Sequence, residues 1–366
     1  MKIPLIKPYI DQNIKNKVLE VLDSGYLTEG TVTKEYEDKF ADYIGCKHAI
    51  AVTSCTTGLE IALRAMGIDA GDEVIVPDYT YPATAAVAPI VGATSVIVDV
   101  NRETMHIDYN AVQSAITKKT KAIIPVSSFG NPIDYEKLNL IKEKFGLYII
   151  EDAAPSVGAA YENKMVGNLA DITVFSFHPR KFITTGEGGM ITTNNKEWAE
   201  WMNSYKHFGM NISGAIHEGI CFERIGTNYK LSNILAAIGL GQLNKIDSLL
   251  KKRKNLAENY LNLLSGTKEI EFPSTTINGK HSYQSFILFH KNRDTIMKRM
   301  HNNGIEVQIG TYALHMHKAF KYNPLVKIEG KMKNSKWCYE HALTLPLYNE
   351  LTFKQQKFIV EKIKSL

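Results

Sequence analysis

Cysteine is scarce in this chain. Cys46, Cys55, Cys221 and Cys338 are the only four in 366 residues. Their scatter fits neither a disulfide framework nor a metal-binding knot, so they read as reduced thiols in a cytoplasmic protein. No Cys/His/Asp set has metal-ligand spacing. Neither G-x-G-x-x-G nor G-x-x-x-x-G-K-[ST] occurs, which argues against a dinucleotide fold and a P-loop ATPase. The N-terminal Met1-Lys2-Ile3-Pro4-Leu5 lacks the apolar core of a signal peptide. One charge-free stretch, Tyr79 to Val98, is long enough to raise a membrane question. Pro82, Pro89 and Gly92 interrupt it, and it divides into a helix and a strand over Ser95–Val100. It is core, not a span. Clustered basic charge is also missing. Forty-three Lys and Arg against 38 Asp and Glu give +5, spread along the chain, which suits anionic metabolites and not nucleic acid. The one local cluster, Lys251-Lys252-Arg253-Lys254, reads as a solvated helix face.

What the chain does have is a regular alternation. Strand patterns at His48–Ser54, Glu73–Pro77, Ser95–Val100, Ala122–Val126, Leu147–Asp152 and Ile172–Phe177 alternate with helical stretches such as Gly58–Met66, Ala111–Ile116 and Tyr135–Lys144. This predicts an α/β domain around a mostly parallel sheet, with ligands at the carboxyl ends of the strands. After about residue 245 the rhythm changes. A long amphipathic helix, Ile246 to Leu264, precedes an isolated strand-like run, Tyr283–His290. Helical segments follow near Arg293–Asn302, Lys331–His341 and Phe353–Ser365. The expected division is a large domain over 1–245 and a smaller α+β domain over 246–366.

The most informative run is Phe175-Ser176-Phe177-His178-Pro179-Arg180-Lys181-Phe182-Ile183-Thr184-Thr185-Gly186-Glu187-Gly188-Gly189-Met190. An apolar strand delivers Lys181 into a turn rich in glycine. A lysine used for covalent chemistry must lose its proton and reach a carbonyl carbon, beside backbone tight enough to admit a cofactor. Asp152 ends a second apolar strand. A lysine for an aldehyde and an aspartate for a pyridinium nitrogen are what a pyridoxal phosphate (PLP) enzyme needs most. A carboxylate about 4 Å from a pyridinium, at an effective dielectric near 20, is worth roughly 4 kcal/mol, or about three pKa units. Taken alone, Asp152 fits better as a strand-end turn residue, the commoner fate of such an aspartate. Its pairing with Lys181 favours the cofactor.

Thr53-Ser54-Cys55-Thr56-Thr57-Gly58 joins the first strand to a helix and offers free N–H groups and hydroxyls to an anion, or serves as a plain N-cap. Tyr81 is placed either to stack on a planar ring or to fill the core. His178 and His315 are candidate proton carriers or sugar contacts, although a lone histidine is more often structural. No glycine-flanked nucleophile elbow surrounds Ser176, so a hydrolase triad is not supported.

With these motifs, Glu151-Asp152-Ala153-Ala154 and Gly226-Thr227-Asn228-Tyr229, the chain resembles the DegT/DnrJ/EryC1/StrS sugar aminotransferases from Pro4 to Leu345-Pro346-Leu347-Tyr348-Asn349-Glu350-Leu351-Thr352. The resemblance implies fold type I of the PLP-dependent transferases, the aspartate aminotransferase-like fold. It implies Lys181 as the lysine that condenses with PLP, Asp152 as the partner of the ring nitrogen and Tyr81 as the stacking aromatic. Thr56, Thr57 and Ser176 match the family's phosphate contacts. Asn228 matches an asparagine that reaches the phosphate from a second subunit, hence a homodimer with shared sites. The loop Ser24–Gly30, with Tyr26, resembles a substrate-side loop, and His315 lies where the nucleotide sugar approaches.

Three positions depart from the family pattern. Pro155 replaces a frequent glutamine, Lys230 a common arginine, and Ser127-Ser128-Phe129 a version containing histidine. The implied reaction moves an amino group from L-glutamate to a nucleotide-linked keto sugar, with Ser-Gly-Tyr-Leu-Thr-Glu-Gly favouring a 4-keto-6-deoxy hexose. Alternatives are a 3-keto sugar, the family's 3-dehydratase, which carries histidine at the lysine position, and a non-enzymatic regulator.

Overall fold

The computed structural model describes residues 2–211 and 221–365. Seven strands, β1 (His48–Val52), β2 (Glu73–Pro77), β3 (Thr94–Val98), β4 (Thr120–Ile123), β5 (Tyr148–Asp152), β6 (Ile172–Ser176) and β7 (Gly189–Thr193), join Val326–Glu329 in one sheet. The order is β1-β7-β6-β5-β4-β2-β3, with Val326–Glu329 at the far edge. Only β7 runs against its neighbours; every other pairing is parallel. Helices α1 (Gln12–Ser24), α2 (Thr31–Ile44), α3 (Cys55–Ala65), α4 (Pro82–Ile90), α5 (Tyr109–Ala115), α6 (Tyr135–Phe145), α7 (Lys196–Lys206) and α8 (Asn233–Leu243) fill the connections and precede α9 (Ile246–Leu264). The expected α/β architecture with a mostly parallel mixed sheet is the observed one.

The sheet is buried on both faces, as its continuous apolar strands require. Along β6, Ile172 and Val174 pack with Leu59 and Val76 on one side. Phe175 and Phe177 pack with Tyr36 and Phe40 on the other, at ring separations of 5.3 to 5.7 Å. Each such side chain stabilises the fold by about 1.5–3 kcal/mol. Strand ends differ from expectation by a residue or two, for local reasons. β1 stops at Val52 because Ser54 leaves the ladder to cap α3. β4 stops at Ile123, and Pro125, which has no N–H, follows soon after.

Beyond residue 246, two expectations change. The strand expected to be isolated near Tyr283–His290 is Phe286–Phe289, paired with Ala342–Leu345 in an antiparallel sheet that also holds Gln308–Ile309. This sheet covers Leu256, Tyr260, Ile296 and Ile359. The basic cluster is not wholly solvated either. Lys251, Lys252 and Lys254 are exposed, whereas Arg253 is 2% exposed, because it lies on the stripe of α9 that buries Leu249, Leu256 and Tyr260.

The parallel strands point their carboxyl ends at one edge, so the residues after Pro77, Ile123, Asp152 and Ser176 gather there. The first turn of α3 is pressed against the start of β7. A Cβ on Gly189 would lie 2.7 Å from the backbone of Ser54 and Cys55. Gly189→Ala is therefore expected to lower stability by about 1–3 kcal/mol in equilibrium urea unfolding. An unchanged midpoint would refute the close approach.

Candidate active site

Asp152, 4% exposed, closes β5. Thr84 Oγ1 donates to Oδ2 at 2.7 Å and the Ala154 N–H to Oδ1 at 3.1 Å. Because Thr84 spends its proton on Asp152, Thr80 Oγ1, 2.8 Å away, must donate to Thr84. Burial pushes the Asp152 carboxyl above the usual carboxylate range, while the Thr84 and Ala154 bonds and the charge of Lys181 pull it back. Its neighbour Glu151 points to the other face, where it accepts from Ser127, from Tyr135 at 2.7 Å and from Thr173 at 3.3 Å. Burial outweighs those bonds and lifts Glu151 to about 7.

Lys181 is half-buried in the turn after β6. Desolvation holds its ammonium below the usual lysine range, and nearby Cys55 and Asp152 act in the opposite sense. Such an amine yields its proton more readily than a surface lysine.

Lys181, Asp152, Thr56, Tyr81 and Ser176 line one cavity of about 700 Å³, together with Cys55. The sequence-predicted residues thus converge from four strand ends. At one wall lies the N-terminus of α3, where Ser54 accepts from the Thr57 N–H and Thr57 Oγ1 accepts from the Ser54 N–H, both at 3.1 Å. Thr57 also donates to the Ser54 carbonyl at 2.9 Å, so its hydroxyl serves the cap and does not line the cavity. Thr56 and Ser176 keep that role open. Tyr81, the N-cap of α4, is 66% exposed, with its ring 6.3 Å from that of Tyr312.

Besides Thr57, three predicted residues lie outside the cavity. His315 is bound to fully buried Asp78 through Nδ1, at 2.6 Å, and through its N–H, at 2.7 Å. Tyr26 is 79% exposed, its carbonyl held by Asn233 at 2.9 Å. Asn228 forms a backbone bridge with His207. The segments that carry the last two are tied together, since Glu29, three residues after Tyr26, accepts from His207 at 3.0 Å and from buried Lys206 at 3.1 Å. Sequence reasoning missed Thr84, Cys55 as a contact of Asp152, and Gln284 in the cavity wall. Only Thr84 carried a signal, one helical turn beyond Tyr81.

These residues fit PLP. A desolvated carboxylate suits a pyridinium, a helix N-terminus with adjoining hydroxyls suits a phosphate, and a lysine of lowered pKa suits an aldehyde. Among the described residues no group of three or more His, Cys, Asp or Glu side chains could hold a metal ion, and no helix is long and apolar enough to cross a membrane.

The sequence pattern of the DegT/DnrJ/EryC1/StrS aminotransferase family matches residues 8–364. The chain belongs to that family. It is similar to the GDP-perosamine synthase of Caulobacter vibrioides, 36% identical over 358 residues and covering 96% of this chain and 94% of that one. It is also similar to the spore coat polysaccharide biosynthesis protein SpsC of Bacillus subtilis, 31% identical over 381 residues, covering 100% and 97%. Among solved structures, the PMP form of the putative sugar aminotransferase Spr1654 from Streptococcus pneumoniae superposes with a TM-score of 0.93 at 28% identity, covering 100% and 98%. The GDP-4-keto-6-deoxy-D-mannose-3-dehydratase of E. coli, with bound hydrated PLP, gives 0.92 at 25% identity over the whole of both chains. This family member is accordingly a PLP-dependent aminotransferase of the aspartate aminotransferase-like fold.

Glu151 provides a pH test of the buried strand end. Its pKa is raised from 4.5 to about 7, so its contribution to stability is complete below pH 4.5 and is lost as pH rises through 7. The apoprotein should lose roughly 3 kcal/mol across that window, and Glu151→Gln should flatten the dependence in urea unfolding. Equal slopes for the two proteins would contradict this.

Proposed function

We propose that this aminotransferase moves an amino group from L-glutamate to C4 of a nucleotide-linked 4-keto-6-deoxy hexose. The observation that carries the reading is the convergence of Lys181 and Asp152 on one cavity, each perturbed by the same burial. The similarity to a GDP-perosamine synthase supports a nucleotide-linked sugar as acceptor. The similarity to a 3-dehydratase raises a second reading, which the presence of Lys181, where that branch carries histidine, opposes.

Bound PLP supplies an aldehyde that takes up amino groups and a ring that accepts the electrons released when a C–H bond breaks. Asp152, ionised against the ring nitrogen, would hold a proton there. Lys181 Nζ would anchor the cofactor and, when free, would carry the proton taken from the donor's α-carbon. Thr56, Ser176 and the free N–H groups of α3 would bind the phosphate, and Tyr81 would stack on the ring. His315, oriented by Asp78, and Tyr26 approach the sugar.

Asn228 completes the phosphate site of a second copy in a homodimer. Supporting this, Tyr26, Phe208, Phe222 and Ile225 leave large apolar side chains exposed around that segment, Ile225 at 95%. Residues 1–245 serve as the PLP-binding domain and 246–366 as the smaller domain that completes the cavity. The four cysteines are free thiols, which supports a reducing, cytoplasmic setting.

With L-glutamate and a panel of nucleotide-linked 4-keto and 3-keto hexoses, NMR of the product should place the new amine at C4. Exclusive turnover of 3-keto sugars would overturn that position. Lys181→Ala should fold and lose turnover by about 10⁴-fold or more, and near-normal steady-state rates would reject its role. Asn228→Ala should weaken PLP retention on dialysis by roughly tenfold, and unchanged retention would remove it from the site.

A further inference from the structure

No strand ladder or helix holds Lys181; its N–H donates only to the His178 carbonyl, at 2.8 Å. The peptide groups on either side of it are taken up by one side chain. Gln284 Oε1 accepts from the Phe182 N–H at 2.6 Å, and Nε2 donates to the Arg180 carbonyl at 2.8 Å. A primary amide carries an acceptor and donors in one plane, so Gln284 grips the turn as a neighbouring strand would. Both bonds also fix which way the amide faces, because a flip would oppose N–H to N–H and oxygen to oxygen. Gln284 is 7% exposed and lines the same cavity as Lys181.

Gln284 is itself gripped from behind by Arg253 of α9. Arg253 Nη2 donates to the Gln284 carbonyl at 2.8 Å and to that of Leu347 at 3.0 Å, and Nε donates to that of Tyr283 at 2.5 Å. The guanidinium lies 5.2 Å from the centre of the Phe182 ring, so it touches the residue after Lys181 as well. Among the described residues no carboxylate lies within ion-pair distance of Arg253. Burying a guanidinium against carbonyls alone is costly, and an apolar side chain of similar volume would fill the space at less cost. What an apolar residue cannot do is fix three carbonyls at once through a rigid fork.

We propose that Gln284, braced by Arg253, is the positioning residue that aims the Lys181 amine into the cavity. The geometry of the lysine turn is then set by residues 253, 283, 284 and 347, far away in sequence. A small rotation of the Lys181 backbone is amplified along its four-carbon stem, and a misplacement of about 1 Å can cost about 10²-fold in reactivity. The inference rests on Lys181 being the residue that condenses with PLP.

The test uses apoprotein and two ligands. Pyridoxamine 5′-phosphate has no aldehyde, so its binding reports only on the phosphate and ring contacts. PLP condenses with the Lys181 amine, losing one water, and stopped-flow absorbance reads that rate. Gln284→Leu removes both bonds; Gln284→Glu keeps the shape and the acceptor for Phe182 but sets an oxygen against the Arg180 carbonyl. Both variants should bind pyridoxamine 5′-phosphate within about threefold of wild type while condensation slows by about tenfold or more. Condensation within threefold of wild type in either folded variant would overturn the assignment. So would a parallel loss of pyridoxamine 5′-phosphate binding in both, since that marks a merely structural role. Should Gln284→Leu fail to fold, Gln284→Glu decides alone. Wild-type protein that never reacts with PLP at Lys181 would instead sink the functional reading, and this shows before any variant is made.

Discussion

A carboxylate must stay charged where almost no water reaches it. At Asp152 burial works against that charge, and two donors, Thr84 and the Ala154 N–H, together with the charge of nearby Lys181, work for it. Removing an ion from water without such partners costs several kcal/mol, so the surrounding structure has to supply them in fixed places. The parallel sheet does this. It brings the end of β5 beside the turn after β6, while α3 and α4 enter from the flanking strands with Cys55 and Thr84. Lys181 shares the same low-polarity surroundings, and each of the two groups is more tolerable for the presence of the other.

The C-terminal third does more than cover this arrangement. Val326–Glu329 extends the large sheet beside β3, and Ile3 forms a bridge with Ile305, so the first residues of the chain are tied to its C-terminal third. Through Gln284 and Arg253 the same region reaches the backbone on both sides of Lys181. The cavity wall therefore depends on contacts spanning the whole chain.

Much of this was legible beforehand because it is written locally. The apolar runs ending at Asp152 and Phe177 stand out as strands by their length, and the Lys181 motif carries its glycines with it. Thr57 was legible as a hydroxyl at a helix start; whether it faces an anion or closes a capping box depends on a rotamer that no spacing encodes. Arg253 looked like its lysine neighbours, and only the packing of α9 against the C-terminal sheet turns it inward. Gln284 gave no signal, since its partners are backbone atoms about 100 residues earlier. The segments of Tyr26 and Asn228, both outside the cavity, are linked through Glu29, Lys206 and His207, a link that no linear pattern announces.

The central claim is that Asp152 keeps the ring nitrogen of bound PLP protonated. The direct measurement is the ¹⁵N chemical shift of isotopically labelled cofactor in the wild-type enzyme and in Asp152→Asn, near neutral pH. The account predicts a protonated ring nitrogen in the wild type and a neutral one in the variant. An unprotonated nitrogen in the wild-type enzyme, or the same shift in both proteins, would contradict it.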